Sequence, residues 1–268
     1  MSHVIKNQVL NVPGTPLLLG IRGPAGDGKT FQTEHILRRH GIKAFLISGG
    51  QLESAHAGEP AKLIRETYKQ AGAELAGKSC SASAVVINDM DTGIGSFGDM
   101  VQTTVNTQQL FAEFMHLVDY PTRVAGDETP RVPIIITAND LTKMHAPMVR
   151  AGRMTSFAWV PSDQDRLAIV KNIFSDLTEE QAEALFLGTT QYAKKHYPGY
   201  ATPNALYSQL KAEMVGDAVW QAIEAAGSPA SFIRQSRAKS HLNLRVCNSE
   251  LIERARGLID QAQHRNHL

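Results

Sequence analysis

Between residues 16 and 160 the chain alternates short, almost wholly apolar runs with longer amphipathic ones. The runs at 17–21, 44–48, 84–89, 132–137 and 157–160 are too short for helices and lack polar alternation, as expected of strands buried on both faces of a sheet. Amphipathic stretches at 29–40, 60–76 and 104–118 predict helices between them, with Pro60 suited to a first helical turn and a short turn at 146–151. Strands alternating with helices predict a parallel α/β sheet. The pattern changes at 161–163, where Ser162 can cap a new helix. Beyond it the spacing is helical at 165–174, 178–187, weakly at 191–196, and at 202–226. After the Gly227-Ser-Pro turn, residues 241–247 alternate, and Leu251, Ile252, Ala255, Leu258 and Ile259 form one helical stripe. Two domains are expected: an α/β domain over 1–161, and a smaller helical lid over 162–268 that includes a C-terminal extension.

Chemistry enters after the first predicted strand. Gly23-Pro-Ala-Gly-Asp-Gly-Lys-Thr30 has the spacing of a phosphate-binding loop and opens a predicted helix. Its glycines let backbone amides face phosphate oxygens, and the helix N-terminus adds partial positive charge. Gly23, Pro24, Ala25, Gly26, Asp27, Gly28, Lys29, Thr30 and Phe31 are therefore the candidate ATP contacts. Lys29 is expected to reach the β- and γ-phosphates, and Thr30 to offer its hydroxyl to Mg2+. The run Val85-Val-Ile-Asn-Asp-Met-Asp91 ends in two carboxylates. Asp89 is the candidate metal ligand and Asp91 the candidate for polarising the attacking water, although a helix-cap or turn role also suits Asp91. The strand ending at Asn139 brings an amide to the carboxyl edge of the sheet, where it can orient that water. Asp140 beside it also reads as a cap. Arg150 and Arg153, three residues apart, are candidates for entering a neighbouring subunit's site and stabilising charge on the transferred phosphoryl.

Composition narrows the partners. A formal net charge of +1 lacks the field of a protein held mainly on phosphate backbones, which argues against nucleic acid as the main partner. No run approaches the roughly 18 apolar residues of a membrane span. Cys80 and Cys247 have no second thiol nearby, fitting a reduced compartment, and the ten histidines lack metal-ligand spacing. The first residues carry neither a secretory core nor a transit-peptide composition, so a cytoplasmic location is expected.

With these residues assembled, the sequence resembles the Rubisco activase family of AAA+ ATPases. The likeness rests on GKTFQ at 28–32, SGGQLESAHAGEPAKLIR at 48–65, INDMDTGIG at 87–95, QTTVNTQ at 102–108, RVPIIITAND at 131–140 and APMVRAGRM at 146–154. The resemblance implies an AAA+ P-loop NTPase fold, a five-stranded parallel sheet followed by a helical lid. It implies Mg-dependent ATP hydrolysis by a ring-shaped homo-oligomer, a hexamer, that frees the Rubisco large subunit of inhibitory sugar phosphates. It places Lys29, Thr30, Asp89, Asp91 and Asn139 in the nucleotide site and Arg150 and Arg153 in the arginine-finger segment. It also assigns two pore-lining loops, at 50–58 and 92–100, with Leu52, Glu53, Ser54 and His56 in the first and Gly93, Ile94, Gly95 and Phe97 in the second. Lys211 falls where relatives carry an arginine that senses nucleotide from the lid. The chain starts just before the first strand, so a short form without the family's N-terminal domain is expected. Past about residue 225 the likeness fades, and another protein assembly, or a nucleic-acid machine loaded by ATP, stays open as the target. A scaffold that binds nucleotide without turnover is disfavoured by Lys29, Asp89, Asp91 and Asn139.

Overall fold

The computed structural model describes residues 1–10, 12, 14–53, 56, 58–91, 105–236 and 248–265. It divides into two compact units, 1–160 and 161–268.

The first unit is built on a five-stranded parallel sheet in the order β2-β3-β6-β1-β7. Its strands are β1 (Leu18–Arg22), β2 (Lys43–Ser48), β3 (Ser83–Asn88), β6 (Ile134–Ala138) and β7 (Met154–Ala158). Helices α1 (Ser2–Gln8), α2 (Lys29–Arg39), α3 (Glu59–Ala76), α4 (Val105–Asp119) and the single turn α5 (Ala146–Val149) accompany it. The interior strands explain their composition: β6 is buried throughout and β3 everywhere except its last residue, Asn88. One face carries the larger core, with Leu18, Ile47, Ile64, Tyr68, Val85, Phe114 and Ile136. Val4, Leu37, Ile42, Ala84, Val86 and Ile135 fill the other.

β1 sits between β6 and β7, with Gly20 opposite both Ile136 and Ser156. The edge strand β7 starts three residues before the apolar run that predicted it, because pairing with β1 begins at Leu18 opposite Met154. Its residues after Met154 are exposed. In this unit helix α1 and a short hairpin lacked any sequence forecast, as did helix 229–236 of the second unit. Helix α1 is docked by side chains: the Asn7 amide donates to the Pro16 carbonyl (3.2 Å), Arg131 Nε donates to Asn7 Oδ1 (2.6 Å), and Gln8 exchanges two bonds with the Ser83 backbone. A hairpin of β4 (Arg123–Val124) and β5 (Asp127–Glu128) turns through Ala125 and Gly126, both at positive φ.

The second unit is helical: α6 (Asp163–Ile173), α7 (Glu179–His196), α8 (Asn204–Ala226), α9 (Pro229–Ser236) and α10 (Asn248–Arg265). Ser162 caps α6 reciprocally with Asp165, and Thr178 caps α7 with Gln181. Its core gathers Phe174, Leu185, Phe186, Tyr207, Leu210, Leu251 and Leu258. The stretches forecast at 178–187 and 191–196 are one helix. Gly188 in its middle meets Ile252 of α10, where a β-carbon would stand 3.2 Å from that side chain. Close packing thus offsets the roughly 1 kcal/mol helix penalty of glycine. The alternating run at 241–247 lies outside the described residues.

Candidate nucleotide site

The site begins where β1 ends and the chain turns through residues 23–28 into α2. Gly28 enters the helix at φ 85°, a conformation that side chains with a β-carbon resist. At Gly23 the constraint is space: an added β-carbon would lie 2.1 Å from the carbonyl oxygen of Trp159. Trp159 follows β7 and fastens the loop twice, its backbone N–H donating to the Arg22 carbonyl (2.7 Å) and its indole N–H to the Asp27 carbonyl (2.9 Å). Sequence reasoning missed Trp159 as a loop contact; the only signal was a bulky aromatic within the last predicted strand, 157–160.

Lys29 stands on the first turn of α2 and is 6% exposed. Its ammonium has three protons and three oxygens around it: the carbonyls of Gly23 and Pro24, each at 2.9 Å, and Asn139 Oδ1 at 2.8 Å. Burial pulls its pKa below the usual lysine range, while the carboxylates of Asp89, Asp91 and Asp27 pull it back up. The strand-end amide and the phosphate-loop lysine, 110 residues apart, therefore meet directly.

The two carboxylates after β3 differ sharply. Asp89 is exposed and takes a left-handed φ of 52°, and its backbone N–H donates to Thr137 Oγ1 at 3.0 Å. Asp91 is 3% exposed. Its Oδ2 accepts the backbone N–H groups of Asn139 (2.9 Å) and Asp140 (3.0 Å), while its buried Oδ1 makes no hydrogen bond among the described residues. Asp140 Oδ1 in turn accepts the Thr142 N–H at 2.8 Å and caps the following turn. Thr30 Oγ1 lies 3.4 Å from Thr137 Oγ1. Among the described residues no cluster of His, Cys, Asp and Glu could hold a metal unaided. Thr30 and Asp89 supply hard oxygen donors of the kind Mg2+ combines with phosphate oxygens and water, so these residues fit that ion.

The arginines differ too. Arg153 is held within its own unit: its guanidinium donates to the Pro147 carbonyl (3.2 Å), Met115 Sδ (2.8 Å) and both carboxylate oxygens of Asp119 (3.3 Å). Arg150 is exposed at the end of α5. His145, preceding α5, stacks on Phe111 of α4 at 4.7 Å. In the second unit, Lys211 on α8 pairs with Asp176, its Nζ 5.5 Å from the centre of the Phe174 ring. Phe31 is 66% exposed on α2 and stacks on His35.

Of the residues assigned to the first pore loop, Leu52 is buried in the larger core rather than lining a surface, because the short 3-10 turn Gly49–Leu52 folds it inward. Glu53 and His56 are exposed. Ser54, Gly93, Ile94, Gly95 and Phe97 lie outside the described residues.

Residues 19–162 match the family described as ATPase family associated with various cellular activities (AAA). The solved FIGL-1 AAA domain, crystallised with ADP, superposes with a TM-score of 0.56, covering 94% of this chain and 82% of its own at 19% identity, a likeness of fold. Among curated proteins, the ribulose bisphosphate carboxylase/oxygenase activase of Nostoc sp. is 45% identical over 68% of this chain and 46% of its own length. That of Anabaena sp. is 36% identical over 98% of this chain and 67% of its own, and activase 2 of Nicotiana tabacum 38% identical over 85% and 51%. The chain thus spans roughly half to two thirds of these relatives. No helix among the described residues is long and apolar enough to cross a membrane. A likeness that runs through the phosphate loop and both strand ends, and along nearly the whole chain, makes it a member of the Rubisco activase family of AAA ATPases.

Proposed function

We propose that this chain is the ATP-hydrolysing motor of a ring-forming remodelling enzyme whose target is the Rubisco large subunit. The observation that carries the reading is the contact of Lys29 with both the loop carbonyls and Asn139. On nucleotide binding the ammonium exchanges protein oxygens for phosphate oxygens. Lys29 then balances the β- and γ-phosphates. Thr30 and Asp89 would hold Mg2+, which would supply positive charge against the phosphate oxygens. Asn139, freed from Lys29, orients the attacking water. Asp91 fixes the Asn139 backbone with one oxygen and leaves Oδ1 for that water. Arg150, exposed where Arg153 is tied down, reaches the ATP of the next subunit in the ring, a hexamer. Lys211 would sense nucleotide only after leaving Asp176. The exposed Glu53 and His56 belong to a loop that engages the target.

Supporting Rubisco as target are the names of the relatives, and a cytoplasmic setting is part of the same proposal. The near-neutral charge disfavours a nucleic-acid machine. Phosphate release by the purified protein, with and without sugar-phosphate-inhibited Rubisco, tests both levels. Turnover with Rubisco reactivation supports the full reading, turnover without it leaves a different protein assembly as target, and unimpaired turnover by Lys29→Ala overturns the site.

A further inference from the structure

The residue that ends β3 at the mouth of the site is Asn88, an uncharged amide, and both ends of that amide are engaged. Its Nδ2 donates to Glu34 Oε1 of α2 at 3.0 Å, and its Oδ1 accepts from Thr137 Oγ1 at 3.4 Å. Nothing in the nucleotide reading uses Glu34. It stands one turn beyond Thr30 on α2, half-buried and facing the sheet end instead of solvent.

The chemistry of the donors gives this contact a direction. An ionised carboxylate only accepts, so Glu34 compels the nitrogen end of Asn88 to face α2 and the oxygen end to face Thr137. A threonine hydroxyl has one proton. Facing an oxygen on Asn88, Thr137 donates that proton there and keeps its lone pairs for incoming donors. One of these is the backbone N–H of Asp89, at 3.0 Å. The other neighbour is the Thr30 hydroxyl at 3.4 Å, a contact in which either oxygen alone could be the donor. With Thr137's proton committed to Asn88, Thr30 must donate. Its remaining lone pairs then face away from Thr137, available to a cation.

We infer that Glu34 is a positioning residue for the metal end of the site: through Asn88 and Thr137 it sets hydrogen-bond direction so that Thr30 presents a lone pair to the divalent cation. The inference rests on the reading that Thr30 and Asp89 share that cation with bound nucleotide. Losing Glu34 frees the amide to turn over. Thr137 then faces a donor, its own proton swings toward Thr30, and Thr30 points a proton at the cation.

The test measures affinity for a fluorescent ATP analogue in Mg2+ and in EDTA, with thermal melting alongside. The wild type binds more tightly in Mg2+; equal affinity in both conditions would overturn the underlying cation reading, and the inference with it, whatever the variants do. Glu34→Ala is expected to weaken binding in Mg2+ by about tenfold, the scale of one charge-assisted hydrogen bond, and to leave binding in EDTA unchanged. Glu34→Gln, which keeps an accepting oxygen, stays within about threefold of wild type. Asn88→Asp sets two carboxylates against each other and loses the Mg2+ increment. Combining it with Glu34→Gln recovers the increment, because the introduced amide donates to the introduced carboxylate, whose other oxygen still accepts from Thr137. Equal loss in Mg2+ and EDTA, a lowered melting temperature alone, or failure of the double variant to recover would each show that Glu34 only supports the fold.

Discussion

Replacing Asp91 by alanine removes the acceptor of two buried backbone N–H groups, those of Asn139 and Asp140 at 2.9 and 3.0 Å. At 3% exposure no bulk water can take its place. A buried donor stripped of its partner costs about 1–3 kcal/mol, so two amides give about 4 kcal/mol at the middle of that range. With a urea dependence of about 2 kcal/mol per molar, the unfolding midpoint of the first unit should fall by about 2 M. The chain has 2 tryptophans, Trp159 in the first unit and Trp220, 64% exposed, in the second. In a Trp220→Phe background, fluorescence therefore reports on the nucleotide loop. Asp89→Asn is the matched control: the residue is exposed, and asparagine tolerates its left-handed backbone, so stability should change by no more than about 0.5 kcal/mol, a midpoint shift of about 0.25 M. A shift below about 0.3 M for Asp91→Ala would refute the claim that this carboxylate fastens the Asn139 turn.

Four further outcomes are expected. Gly23→Ala forces a β-carbon against the Trp159 carbonyl, 2.1 Å away, and should cost about 1–3 kcal/mol in the same unfolding assay and weaken nucleotide binding. Arg150→Ala should lower steady-state hydrolysis by about 10³-fold while leaving nucleotide affinity intact, whereas Asp119→Ala, removing a half-exposed partner of Arg153, should cost at most about 1 kcal/mol of stability. Burial holds the His3 pKa below its ordinary value of 6.5, against the raising effect of its bond to the Leu17 carbonyl. The unfolded chain therefore takes up the proton first, and stability should decline as pH drops through 6.5 toward the folded-state value, a slope that His3→Gln reduces in pH-dependent melting curves.

The parts of this molecule that were legible from sequence are those whose determinants are close together in the chain. The phosphate loop needs only β1, eight residues and the start of α2; Ser162 announces the helix that starts at the next residue and pairs with Asp165 three residues on. Opaque features depend on distant partners. Helix α1 holds through Asn7 reaching Arg131 and Gln8 reaching Ser83, contacts that no local periodicity encodes. Asp91 and Asp89 look interchangeable as letters, yet one is swallowed by the Asn139 turn and the other left in solvent. The same holds for Arg150 and Arg153, separated in role by Met115 and Asp119 on another helix. Glu34 gave no signal because its partner comes from β3. β7 was placed late because Trp159 and Val160 are apolar, though Trp159 serves the loop rather than the sheet.

The double fastening of Trp159 has a mechanical corollary. The first unit ends at Val160, so Trp159 is the penultimate residue before the chain passes into the second. Tension travelling along the backbone from that direction meets, as its first anchors, the carbonyls of Arg22 and Asp27. One of these ends β1 just before the phosphate loop and the other lies within it. A load on the chain beyond residue 160 is therefore expected to reach the carbonyls at the end of β1 and within the phosphate loop before it reaches the ladder inside β7.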